Sequence, residues 1–405
     1  MNSKERTLTA LAHREPDRVP MYITVVGELA QRMAQARGIP CSIYDAYLTN
    51  RISNPELLTA LGNDIVGIGA TAPDNRPATE RDDGCRIDEW GFVYRPVQHA
   101  FGVYYEIVGR PLRGISTARE VAGYRLPDPA APGRFRIARE NARRFGATHA
   151  LLGVIECTVF EMAWNLVGME DLLSGMALGA DYVEPLLDAV TEYSIAVGVE
   201  LIRLGADIML TGDDLGMDTG PMLSLKLWRR YLKPRLQRVF EAYRAARPDI
   251  ILAYHSCGSI RPFIPELIEL GLHVLNPIQV TARDMEPGQI KAGYGGQLAF
   301  CGGIDQRHVM PSGTPDDVAV EARRRIRELG VGGGYILAPT HDLQSDTPVE
   351  NVLALFEAAR QWGTYPLQPL GLPRGNDLPL SPTPLLTVTV TCCLGGTPAS
   401  TPWAF

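Results

Sequence analysis

Short, almost uninterrupted runs of apolar and β-branched residues alternate along this chain with longer stretches in which apolar positions recur every three or four residues. Runs of the first kind predict strands covered on both faces, and stretches of the second predict amphipathic helices laid over them. Eight runs qualify: 19–25, 64–70, 150–155, 206–212, 250–255, 273–276, 298–302 and 334–338. The helical pattern is clearest over 182–204, 223–246, 262–270, 315–329 and 348–361, several of these opening on proline or a capping residue. Alternating strand and helix units predict a parallel sheet, and eight such units close into an α/β (β/α)8 TIM barrel with the helices outside.

Two segments fall outside that rhythm. The stretch 71–147 is too long for one crossover and reads as an insertion, with hairpin arms at 88–94 and 104–108 and a helix near 135–145. Leaving from the C-terminal face of the barrel, it is placed to lie over the mouth as a lid. The barrel is expected to end at residue 363. The remaining 364–405 are rich in Pro, Gly and Thr and are expected to form a disordered tail, although 385–390 alternate in part like a strand.

Composition narrows the picture. A chain of 405 residues, 45% hydrophobic and 21% charged, can bury a barrel-sized core. Its formal net charge of -7 shows no electrostatic footprint for nucleic acid. Residues 1–15 are polar and no apolar stretch is long enough for a membrane, so a cytoplasmic protein acting on a small-molecule substrate is expected. Seven cysteines, at 41, 85, 157, 257, 301, 392 and 393, make no disulfide framework and read as free thiols.

Reactive groups of such a barrel project from the C-terminal ends of its strands. That rule selects Glu156 and Glu161 after the third strand, Asp213 and Asp214 after the fourth, and His255 and Cys257 after the fifth. Asn276 and Gln279 follow the sixth, Cys301 and Asp305 surround the seventh, and His341 and Asp342 follow the eighth. The pair His255-x-Cys257 is the most specific, because alternate residues of an extended segment point the same way and an imidazole with a thiolate suits zinc. A catalytic zinc takes three protein ligands, so Cys301, His341, Glu156 or one of Asp213 and Asp214 would supply the third. A buried histidine beside an inert thiol is the competing reading. Asp213, Asp214 and Glu161 are candidates for acid–base work, and Asn276, Gln279, Asp305 and Glu156 for holding substrate. The run Gly332-Gly333-Gly334 precedes a strand rather than following one, so it is no phosphate loop.

Many short matches, in order, resemble one superfamily. Lys4-Glu5-Arg6-Thr7-Leu8-Thr9-Ala10-Leu11 and Glu15-Pro16-Asp17-Arg18-Val19-Pro20 are similar to the opening of uroporphyrinogen decarboxylase-like proteins. The likeness continues through Phe160-Glu161-Met162-Ala163-Trp164, Gly212-Asp213-Asp214-Leu215-Gly216 and Tyr231-Leu232-Lys233-Pro234-Arg235. It then runs on through His255-Ser256-Cys257-Gly258, Asn276-Pro277-Ile278-Gln279, Gly302-Gly303-Ile304-Asp305 and Asp346-Thr347-Pro348.

The resemblance implies the same barrel and two chemistries. One is cofactor-free decarboxylation of a tetrapyrrole. The other is methyl transfer between a corrinoid, carried by a partner protein, and a small acceptor, with zinc at His255 and Cys257. It also implies a homodimer. The stretch 20–27 lacks the arginines with which true decarboxylases grip carboxylates, and their catalytic aspartate has only Asp74 as a counterpart here. The resemblance is therefore closer to the methyltransferase branch, although that branch carries a third cysteine where this chain has His341. A non-catalytic barrel that binds a corrinoid protein is the third reading.

Overall fold

A computed structural model of the chain describes residues 1–44 and 49–367. The tail from 368, with the run 385–390 and with Cys392 and Cys393, lies outside the described residues. Seven parallel strands form one curled sheet: β1 Ile65–Gly69, β2 Ala150–Ile155, β3 Ile208–Gly212, β4 Ile251–His255, β5 Val274–Asn276, β6 Ala299–Ile304 and β7 Tyr335–Pro339. Each pairs with the next in chain order.

The two-residue period of the strands sorts their side chains into two cores. Ile65, Leu152, Val154, Ile208, Leu210, Ala253, Val274, Ala299, Cys301 and Ile336 fill the inside of the curl. Val66, Ile68, Leu151, Met209, Leu252, Leu275, Phe300 and Leu337 face the helices. Burial on both sides is why these runs are apolar throughout.

The first predicted strand, 19–25, takes the eighth position without becoming a ladder. Against β7 it makes a parallel bridge at Met21–Leu337, and beyond the end of β7 a second at Val25–Leu343, with Tyr22 N–H donating to Leu337 and Leu337 N–H to Pro20. Toward β1, side chains stand in for strand backbone: Met21 N–H donates to Asp64 Oδ2 and Ile23 N–H to Asn63 Oδ1, at 2.8 and 2.9 Å. Pro20 has no N–H to offer, which shortens any regular pairing.

The helices Val183–Arg203, Pro315–Leu329 and Val349–Trp362 match their amphipathic stretches closely. The stretch 223–246 does not run straight. It begins at Leu225, passes through a π turn at Trp228–Leu232 and resumes as Lys233–Ala246. Pro234 lacks the N–H that a regular turn needs there, and the wider turn absorbs the loss. In the insertion, Val93–His99 pairs with Gly102–Gly109 in a four-stranded antiparallel sheet. The first arm is thus displaced from 88–94. Asp88 accepts the Phe92 N–H at 2.9 Å and Gly91 takes φ of 85°, so 88–92 form a turn instead. The expected helix follows as Arg136–Phe145.

Past residue 363 the described chain stays packed: Thr364 bridges Arg18, and Leu367 is buried. No helix among the described residues is long and apolar enough to cross a membrane. Cys41, Cys85, Cys157, Cys257 and Cys301 are free thiols.

Candidate metal centre

β4 ends on His255, and the turn after it is held from both neighbouring strands. Ser256 N–H donates to the Asn276 carbonyl at 2.8 Å, Cys257 N–H to Asp214 Oδ1 at 2.6 Å, and Gly258 N–H to Gln279 Oε1 at 2.7 Å. Leu215 N–H donates to Ser256 Oγ at 2.9 Å. Gly258 has φ of 82°, and a Cβ there would come within 2.3 Å of the Gly216 backbone, so only glycine fits. Every backbone donor of the turn named here is thereby fixed, and with it the direction of both side chains.

Those side chains meet a third. His255 Nε2 lies 3.5 Å from Cys257 Sγ, and the His341 ring stands edge-on to the His255 ring with centroids 5.8 Å apart. One ligand atom from each of His255, Cys257 and His341 falls within 4.8 Å of the other two, and this is the one such group among the described residues. A sulfur and two imidazole nitrogens form a donor set suited to zinc. Of the other candidate third ligands, Glu156 and Asp213 or Asp214 are not part of the group, and Cys301 points into the inner core with its thiol pushed up to about 12 by burial.

The tautomer and charge of His255 are compatible with such a donor set. His255 Nδ1 sits 2.7 Å from Asn276 Oδ1, and the Asn276 amide is oriented by donating to the Cys301 carbonyl at 3.3 Å. Nδ1 therefore carries the proton and Nε2 the lone pair, as a metal ligand requires. Burial first, then the Arg51 guanidinium, holds the His255 pKa below its usual value and keeps the ring neutral. Burial and then Asp214 and Glu161 push the Cys257 thiol far up. A thiolate there needs a cation beside it. Asn276→Ala should lower zinc affinity by about 10- to 100-fold, the usual effect of losing the partner that orients a ligating histidine. Competition with a chelating dye reads this directly; unchanged affinity would remove Asn276 from the account.

The other predicted residues divide by what they touch. Asp213 Oδ1 accepts the N–H groups of Val159 and Glu161 at 3.0 and 2.9 Å, capping the helix Phe160–Val167 from β3. Burial pushes its carboxyl up to about 7 against those bonds. Glu161 is buried and pushed far above the usual range by burial, then by Asp214 and Asp213. Gln279, besides bracing Gly258, donates to Asp218 at 3.3 Å. Asp305 caps its own turn, accepting the N–H groups of Arg307 and His308. Asp74 is exposed and faces Arg136 across 3.8 Å.

Sequence reasoning missed Arg51. It enters the mouth from the loop before the helix Pro55–Leu61, pairs with Glu156 and approaches His255 Nδ1 at 3.3 Å. Against burial, Arg51 and His341 hold the Asp342 pKa down, with Thr24 and Asn50 donating to its carboxylate. A single arginine in a polar loop carries no periodic signal that would mark it.

The chain is 24% identical over 234 residues to the methylcobamide:CoM methyltransferase MtaA of Methanosarcina barkeri, a match covering 58% of this chain and 64% of that protein, under two thirds of its length. It is 20% identical over 361 residues to the methylcobamide:CoM methyltransferase MtbA of Methanosarcina mazei, covering 89% and 98% of the two chains. The solved structure of a methyltransferase from Methanosarcina mazei superposes with a TM-score of 0.65 at 21% identity over 89% of this chain and 99% of that one, which shows the shared fold. Residues 105–362 match the uroporphyrinogen decarboxylase (URO-D) family profile, and the chain belongs to that family.

Proposed function

We propose that this chain is a methyltransferase moving a methyl group between a corrinoid, carried by a partner protein, and a small thiol-type acceptor, with zinc held by His255, Cys257 and His341. The observation that carries the reading is the S/N/N cluster at the strand ends, found in a chain similar over most of its length to a methylcobamide:CoM methyltransferase. When bound, zinc supplies a Lewis acid that lowers the pKa of a thiol it ligates.

The protein's own groups do the rest. His255 presents Nε2 already aimed and neutral. Cys257 gives up its proton on ligation, and Asp214, hydrogen-bonded to its backbone, is the nearest open carboxylate to take the acceptor's proton. In the transfer the acceptor sulfur bonds the methyl carbon, and the cobalt of the corrinoid keeps the pair from the broken bond. Decarboxylation is less well supported, because Asp213 is engaged in capping and Arg51 in its pair with Glu156, so neither is free to grip or protonate a polycarboxylate.

Protein made with zinc supplied should contain about one zinc per chain and should demethylate methylcobalamin in the presence of a small thiol, read from the corrinoid spectrum and the thioether formed. Metal-free protein without turnover would sink the reading. Conversion of uroporphyrinogen to coproporphyrinogen would replace it with the decarboxylase reading.

A further inference from the structure

The Cys257 turn is braced by side chains that reach it from other loops of the mouth. The chain after β3 folds back as a small hairpin, Gly216–Met217 against Gly220–Pro221, and that hairpin lies on the turn, its Met217 carbonyl accepting the Ser259 N–H at 2.8 Å. Asp218, at the hairpin's bend, is a junction. Its carbonyl accepts the Arg283 N–H, from the loop after β5, at 2.9 Å. Its carboxylate accepts Gln279 Nε2 on one oxygen at 3.3 Å and Arg307 Nη1, from the loop after β6, on both at 2.7 Å. Asp305 in turn fixes the Arg307 backbone by accepting its N–H at 2.9 Å. The other end of the Gln279 amide, Oε1, accepts the Gly258 N–H at 2.7 Å. Arg307, Asp218, Gln279 and Gly258 thus form one continuous run of hydrogen bonds that ends next to Cys257.

The direction of that run is fixed by which ends donate. A glutamine amide fits either way round by shape, and only its hydrogen-bond partners tell the two ends apart. Turned over, Gln279 would set its NH2 against the Gly258 N–H and its oxygen against the Asp218 carboxylate, two repulsions in place of two bonds. The carboxylate, which accepts only, therefore holds Nε2 toward itself and leaves Oε1 for Gly258. The side chains of Arg307 and Asp218 are 47% and 53% exposed, so neither fills the core, and an exposed pair of this kind adds little to global stability. We propose that Asp218 is a positioning residue for Cys257: through Gln279 it sets the Gly258 backbone, and with it the direction of Cys257 Sγ toward His255 and His341. The consequence for metal binding rests on the zinc reading above; the brace itself rests on the hydrogen bonds alone.

Amide hydrogen exchange of the segment 255–260 in metal-free, full-length protein reads the turn directly. Asp218→Ala and Gln279→Ala should each speed that exchange about three- to tenfold, the range of one hydrogen bond, with the urea midpoint unchanged. Because Asp218 acts through Gln279, adding Asp218→Ala to Gln279→Ala should change the rate by less than about twofold. No effect of Asp218→Ala overturns the proposal. So does an equal effect in the Gln279→Ala background, which would mean that the aspartate only shapes its own hairpin. If Asp218→Ala lowers the urea midpoint, Arg307→Met replaces it: this leaves Asp218 in place but unheld, and should speed exchange in the wild-type background and not in Gln279→Ala, any other pattern overturning the proposal. With cobalt supplied in place of zinc, Asp218→Ala should weaken the thiolate-to-cobalt charge-transfer band and lower metal affinity about three- to tenfold. A metal-loaded variant with band and affinity unchanged overturns the assignment to Cys257. Wild-type protein that takes up no metal counts against the zinc reading alone, and the exchange rates then decide the brace.

Discussion

Cys257→Ala protein is expected to bind zinc about two to three orders of magnitude more weakly than wild type and to lose methyl transfer, while its metal-free fold stays within about 1 kcal/mol of the parent. Protein zinc sites bind with roughly 10–16 kcal/mol spread over their ligands, so one thiolate accounts for about 3–4 kcal/mol. Cys257 supplies the only sulfur of the cluster. The apo fold loses little because the turn around Cys257 is held through backbone groups, by Asp214 and Gln279, which the substitution leaves in place. Burial and the facing carboxylates already make the thiolate costly without a cation, so the side chain contributes to metal binding and not to the empty fold. Chelator competition measures the first quantity and urea unfolding of metal-free protein the second. Undiminished zinc affinity would show that the S/N/N cluster is not the metal centre.

How much of this was legible along the chain depends on whether a feature is periodic or made at a distance. The strands β1 to β7 were legible because a sheet covered on both faces must be apolar at every position, and such runs stand out. The hairpin arm at 93–99 was hidden because Trp90 and Phe92 look like strand residues, while their conformation is set by the Asp88 side chain and by Gly91. The strand-end rule gathered His255, Cys257, Asn276, Gln279 and His341, which the structure brings together. It does not distinguish His341 from Cys301, because that choice turns on which side chain faces the mouth and which faces the inner core. Asp213 and Asp305 also stand at strand ends, yet their oxygens are occupied by backbone N–H groups, a detail of loop geometry that leaves no pattern in the sequence. Arg51 was illegible for the same reason: its partners, Glu156 and His255, are more than a hundred residues away.

That arginine should show the converse of Cys257 when it is replaced. Arg51→Met keeps most of the buried stem but strands Glu156, whose side chain is 14% exposed, and deprives the buried Asp342 of its main counter-charge. Breaking one partner out of a buried ion pair typically costs about 3–5 kcal/mol, because the remaining charge stays desolvated. About 3 kcal/mol of lost stability is therefore expected in urea unfolding. Adding Glu156→Gln to the same chain should recover at least about 1 kcal/mol, since the stranded charge is then gone. Zinc affinity should not fall in the Arg51→Met protein, because the guanidinium faces Nδ1 rather than the ligating nitrogen and its charge opposes an incoming cation. A variant as stable as wild type would mean that water solvates Glu156 well enough to do without Arg51. A large drop in zinc affinity would mean that Arg51 fixes the position of the His255 ring itself, a role that the geometry gives to Asn276.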